Sequence, residues 1–115
     1  MKTFNFKAVV YTDVAKMLHE AELDIVSVCT PPSLHPEHAI AAAEAGCHLV
    51  LEKPVALSLD GLRLIKRAVD KAGVKTVIGF VLRWNPLFET IKSLLAEDAI
   101  GRIFYGEVDY HHGIG

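Results

Sequence analysis

The sequence predicts a doubly wound α/β fold, and three observations predict it. Apolar, β-branched runs of strand length alternate with helix-length amphipathic segments from Phe6 to Phe80. That order implies βα units joined by crossover helices. The run "DIVSVC", residues 24–29, is too continuously apolar for a half-exposed strand, and is expected to be covered on both faces as in a parallel sheet. The runs then break on prolines, glycines or a charged pair, the punctuation of strand-end loops.

Taken in order, "FKAVVY" (residues 6–11) reads as a first strand. Thr12 or Asp13 caps a helix that places Val14, Met17, Leu18 and Ala21 on one face. "DIVSVC" is the second strand and stops at Thr30-Pro31-Pro32. Pro36 suits the first turn of the next helix, the alanine-rich run 37–45 propagates it, and Gly46 closes it in the left-handed conformation. "CHLVL" (residues 47–51) is a third strand. Ser58 caps a helix with Asp60 in its first turn, Leu62, Ile65, Val69 and Ala72 on its buried face, and Lys71 and Gly73 at its end. "KTVIGF" (residues 75–80) is the fourth strand, which Arg83 and Trp84 end.

Asn85 and Pro86 open a further helix with Leu87, Ile91, Leu94 and Leu95 as one stripe, and Gly101 follows it. In "RIFYGEVDYHH" (residues 102–112), Phe104, Val108 and Tyr110 alternate with Tyr105, Glu107, Asp109 and His111. That is the period of a strand with one wet face, expected to begin a second sheet.

Composition narrows the function. Half of the 115 residues are apolar, enough for one core, and twelve basic against fourteen acidic residues leave a net charge of −2. Nothing in that balance suggests nucleic acid or an anionic membrane as partner; a small neutral or anionic ligand is the expectation. Cys29 and Cys47 have no C-x-x-C spacing and are expected to be reduced, buried thiols. With no apolar run of membrane-span length and no signal-peptide core, the cytoplasm is the expected compartment.

Ligands of open α/β sheets bind beyond the carboxyl ends of the strands. Three segments fall there: "CTPPSLHP", "EKP" and "GFVLRWNP". Thr30-Pro31-Pro32 reads either as a stiff turn or as rigid backbone held against a planar ligand. Glu52-Lys53 reads either as a solvated ion pair or as a lysine, held by Pro54 at a cleft mouth, that donates a proton or hydrogen bond to a substrate oxygen. Trp84 suits core or cleft wall, and Arg83 either pairs with Glu52 or binds a ligand. His35 and His38 are three apart, but no carboxylate or cysteine completes a metal site, and His111 and His112 point to opposite faces of their strand. No metal is expected.

Together, "DIVSVCTPPSLHPEHAIAAAEAGCHLVLEKPVALS", "GFVLRW" and "GRIFYGEVDYHH" closely resemble the glucose-fructose oxidoreductase / inositol 2-dehydrogenase / rhizopine catabolism protein family, the Gfo/Idh/MocA NAD(P)-dependent oxidoreductases. The resemblance runs from about Tyr11 onward. It implies a Rossmann domain, here a partial one of about four strands in residues 1–100, followed at residues 101–115 by the first strand of a mostly antiparallel substrate and oligomerisation domain. It implies NAD or NADP as cofactor and hydride transfer to or from a sugar or polyol carbon. Thr30, Pro31 and His35 match the loop lining the cofactor, Glu52, Lys53 and Pro54 the E-K-P motif near the nicotinamide, and Arg83 a basic position on that side. Lys53 matches the residue that orients the substrate oxygen and assists its proton transfer.

Two departures from the family pattern shape the expectation. The chain contains no G-x-G-x-x-G, the phosphate-binding turn that should precede Lys7, and the family's D-x-x-x-H pair belongs beyond the strand at 102–112. The chain is therefore expected to be a truncated piece, inactive alone, and to self-associate through exposed strand edges. The alternative is a non-enzymatic ligand-binding or assembly module derived from that fold.

Overall fold

A computed structural model describes residues 8–109 and residue 111. The chain divides into two compact units, Met1–Phe80 and Val81–Gly115. The first contains α1 (Val14–Glu20), β1 (Ile25–Val28), α2 (His35–Glu44), β2 (His48–Leu51), α3 (Leu59–Ala72) and β3 (Thr76–Ile78). The strands form a parallel sheet in the order β1-β2-β3, with Val28 opposite Leu51 and Leu51 opposite Ile78. The second unit contains a 3₁₀ turn, Val81–Trp84, and α4 (Pro86–Ala96).

The helix boundaries follow the local chemistry. Asp13, not Thr12, caps α1, its carboxylate accepting the Lys16 N–H at 2.8 Å. Ser58 Oγ accepts the Gly61 N–H at 3.1 Å at the start of α3, and Asn85 Oδ1 accepts the Leu87 N–H at 2.9 Å at the start of α4. Gly46 and Gly73 end α2 and α3 with φ of 83° and 68°, a region closed to most side chains. The T-P-P segment leads into a short 3₁₀ turn, Pro32–Leu34, before α2 begins.

The core of this unit lies on one side of the sheet. Val28, Leu49 and Leu51 meet Ala39, Ala42 and Ala43 of α2 and Ile65 of α3, with Cys47 at the margin. Three alanines in that position let α2 sit close to both the sheet and α3.

Several expectations need correcting. Three strands are assigned among the described residues rather than four. Residues 8–11 are unpaired, and Val10 is 86% exposed; Phe6 and Lys7 lie outside the described residues. An apolar run becomes a strand only where a neighbour satisfies its N–H and C=O groups, and this one has none among them. For the same reason residues 102–109 carry no strand despite their alternation, and Phe104 is 96% exposed; Tyr110 and His112 lie outside the description.

Among the described residues the sheet is also not covered on both faces. Helices of the first unit pack on the face of Val26, Val28, Leu49 and Leu51, whereas Ile25 (59% exposed) and Val77 (47%) stand on the other. Cys29 shares that open face and is exposed, while Cys47 is buried; both are free thiols. Leu62 and Ala72 are likewise exposed, so Ile65 and Val69 carry the buried face of α3. Finally, the last strand stops at Ile78, and Arg83 and the exposed Trp84 belong to the 3₁₀ turn of the second unit. Among the described residues no helix is long and apolar enough to cross a membrane.

Candidate functional site at the strand ends

The parallel sheet brings the ends of β1 and β2 side by side, and with them the T-P-P and E-K-P loops. The Glu52 N–H donates to the Val28 carbonyl at 3.1 Å, continuing the β1–β2 pairing one step beyond the strands. The Gly79 N–H donates to the Leu51 carbonyl at 2.8 Å, so β3 closes on the same point. Glu52, Lys53 and Pro54 thus leave the sheet where three strand ends converge.

His35 joins the two loops. Its Nε2 lies 2.8 Å from the Thr30 carbonyl and its Nδ1 2.8 Å from the Pro54 carbonyl. The ring is 1% exposed, a buried polar group fully partnered. Thr30 Oγ1 bonds His38 Nδ1 at 3.1 Å, so both histidines at the α2 start are committed to the loop that precedes them. Pro31 is exposed beside them, and its carbonyl accepts the Leu34 N–H at 2.8 Å. Among the described residues no group of three or more His, Cys, Asp or Glu side chains is placed to hold a metal ion.

Glu52 and Lys53 do not pair through their charges. The Glu52 carboxylate turns back to accept the Lys53 backbone N–H at 3.3 Å. Among the described residues the ion pairs are Lys16–Glu20, Arg63–Asp60 and Lys66–Asp70, all within helices, and the exposed Lys53 ammonium takes part in none. The Lys53–Pro54 peptide is cis. Arg83 is exposed in the second unit.

Two features of the site escaped the sequence reading. A Cβ built on Gly79 would lie 3.0 Å from Glu52 Oε1, so the glycine is the seat of that carboxylate. An isolated glycine within a strand-like run was the available signal, because it marks a close approach. The second feature is an apolar cleft of about 560 Å³ directly after the E-K-P turn, walled by Pro54, Val55, Leu57, Leu62, Ile78 and Phe80. Its size is that of a small-molecule site. The exposure of Leu57, Leu62 and Phe80 is the cost of that cleft, since each faces it instead of the core.

A family model described as "Oxidoreductase family, NAD-binding Rossmann fold" (GFO_IDH_MocA) matches residues 1–80. The chain belongs to the Gfo/Idh/MocA oxidoreductase family. Among curated proteins, it is 36% identical over 104 residues to scyllo-inositol 2-dehydrogenase (NADP(+)) IolW of Bacillus subtilis, an alignment covering 84% of this chain and 29% of that protein. It is 35% identical over 92 residues to levoglucosan dehydrogenase of Pseudarthrobacter phenanthrenivorans, covering 80% and 24%. Among solved structures, the WlbA dehydrogenase of Bordetella pertussis, in complex with NADH and UDP-GlcNAcA, superposes with a TM-score of 0.78 at 32% identity, over 82% of this chain and 27% of that one. This chain spans between 24 and 30% of the length of the curated relatives it matches. The Rossmann-type, parallel α/β reading of the sequence is thus established, with three strands described in place of four.

Proposed function

We propose that this chain forms the nicotinamide side of an NAD(P)-dependent dehydrogenase that acts on a CH–OH or carbonyl carbon of a sugar or polyol. The observation that carries the reading is the convergence of Thr30-Pro31 and Glu52-Lys53-Pro54 at adjoining parallel strand ends, beside an apolar cleft. The residues fit one end of a dinucleotide. An apolar wall that begins at Pro54, one residue after the exposed Lys53, suits a nicotinamide ring and a substrate oxygen; the diphosphate end has no matching cradle in the described residues. At the α3 N-terminus the Gly61 N–H is taken by the Ser58 cap, and the 3₁₀ turn opens on Pro32 and the first turn of α2 contains Pro36, neither of which has an N–H to offer.

In this reading Thr30, Pro31 and Pro54 supply backbone against the ring, and Glu52 fixes the Lys53 backbone through its N–H. The bound nicotinamide would accept or give the hydride. The Lys53 Nζ donates a hydrogen bond to the substrate oxygen and assists transfer of its proton. Arg83 is the basic group assigned to the nicotinamide side, and residues 101–115 are the start of the substrate and oligomerisation domain. NAD against NADP, and the polyol itself, are chosen by residues outside the motifs present. We further propose that the chain acts in the cytoplasm.

Fluorescence titration of the chain with NADH and NADPH tests this. Saturable binding in the micromolar range is expected, weakened about tenfold in Lys53→Ala by loss of a charge-assisted hydrogen bond. No binding at millimolar cofactor would overturn the cofactor reading. Turnover by the isolated chain is expected to be negligible, and NAD reduction with any polyol would contradict that.

A second reading, assembly, is favoured by the sheet itself. Among the described residues β1 pairs on one side only, and its open face carries Ile25. An unpaired, apolar edge recruits other strands. Gel filtration at micromolar concentration is expected to show a dimer or larger species, and a clean monomer would remove this reading.

A further inference from the structure

We infer that His35 is a positioning residue, a buried clasp that sets the backbone on which Lys53 is presented; this rests on the reading of the E-K-P loop as the nicotinamide side. The two carbonyls that it contacts belong to different loops, one after β1 and one after β2. Thr30 ends the loop after β1, Pro54 immediately follows Lys53 after β2, and each lies 2.8 Å from one ring nitrogen. Carbonyl oxygens only accept, so the ring N–H is the donor, and the tautomer sets which of the two nitrogens carries it. At 1% exposure no water competes for either bond, and an imidazole is rigid, so the spacing between the loops is fixed to the width of one ring.

The other restraints on the loop act upstream of Lys53. The Glu52 N–H is tied to Val28, and the Glu52 carboxylate, seated over Gly79, holds the Lys53 N–H. His35 supplies the downstream restraint at Pro54. Val55 and Ala56 pack against the core further on, so without His35 the loosened stretch is the turn between Glu52 and Val55, which carries Lys53. His35 itself is fixed because it begins α2, whose Ala39, one turn on, is wholly buried in the core. The sequence resemblance alone places His35 in the loop lining the cofactor; the burial of its ring places its action behind that loop.

The test uses the full chain, with amide NMR without ligand and NADH titration. In His35→Gln, which can serve one carbonyl at most, the amide signals of Lys53, Val55 and Thr30 are expected to shift or broaden together, while Val77 in β3 is unmoved. Changes confined to α2 would overturn the clasp. NADH affinity is expected to fall at least about threefold in His35→Gln and to be unchanged in Ile65→Val, a core variant in α3. Equal weakening in the two variants would reduce His35 to a general stabilising role and overturn the proposal. If the unsubstituted chain binds no NADH, the cofactor reading fails by itself, and the amide signals still decide the clasp. Should His35→Gln not fold, His35→Asn, shorter but retaining a donor, is read by the same signals with the same two outcomes.

Discussion

Leu49→Ala is expected to lower the unfolding free energy by about 2–5 kcal/mol, the range for a buried leucine whose cavity does not collapse. Leu49 is in the central strand, among the most deeply buried large side chains, with Val26 and Thr76 in register on either side. The neighbours that could fill the void across the core are alanines of α2, which have no side-chain length to extend. The core of the described residues is small, and a domain of this size has about 5–15 kcal/mol in total, so the substitution removes a large fraction. Urea unfolding followed by circular dichroism checks it. A change below about 1 kcal/mol would mean that α2 moves in to close the space, and that the close helix–sheet contact is softer than its geometry.

The positions of the strand-end loops were legible because such loops announce themselves by composition. T-P-P and E-K-P both follow apolar runs, and both appear at carboxyl ends of parallel strands. The helix limits were legible for a related reason: Ser58, Asn85, Gly46 and Gly73 act through bonds or dihedrals local to themselves. What was not legible depends on partners distant in sequence. The strand-like runs at 6–11 and 102–112 have the right residues, but propensity does not provide a neighbour to pair with. Covering of the sheet on both faces was inferred from the apolarity of "DIVSVC", which reports what the strand tolerates rather than what packs there; Ile25 is exposed all the same.

The site shows the same division. Lys53 and Thr30 could be named from motifs, but the bond from His35 to the Pro54 carbonyl spans 19 residues and has no local signature. Nor did the adjacent charges of Glu52 and Lys53 reveal that the carboxylate would bond the backbone N–H instead of the ammonium. A histidine three residues from another histidine suggests a metal before it suggests a clasp. Only the burial of the ring and the two carbonyls around it distinguish them.

Ala42→Leu is expected to destabilise the chain by about 1–3 kcal/mol even though it adds apolar surface. Alanine and leucine have nearly equal helix propensity, so the local term is close to zero. Burial of the larger side chain would normally contribute about 1.5–3 kcal/mol of stability, but only where there is room for it. Ala42 is completely inaccessible and lies in the core cluster with Ala39, Ala43, Leu49 and Ile65. A leucine there must push α2 away from the sheet or from α3, opening contacts on both sides of the helix. Thermal or urea unfolding measures the sign directly, with the exposed Ala15→Leu in α1 as a control expected within about 0.5 kcal/mol of the original chain. Stabilisation by Ala42→Leu would show that the three alanines border unfilled space rather than a close contact. The consequence reaches the site, because α2 begins at His35. A helix displaced at Ala42 carries the imidazole with it, so the Lys53 and Val55 amide signals are expected to move in Ala42→Leu and to hold still in Ala15→Leu.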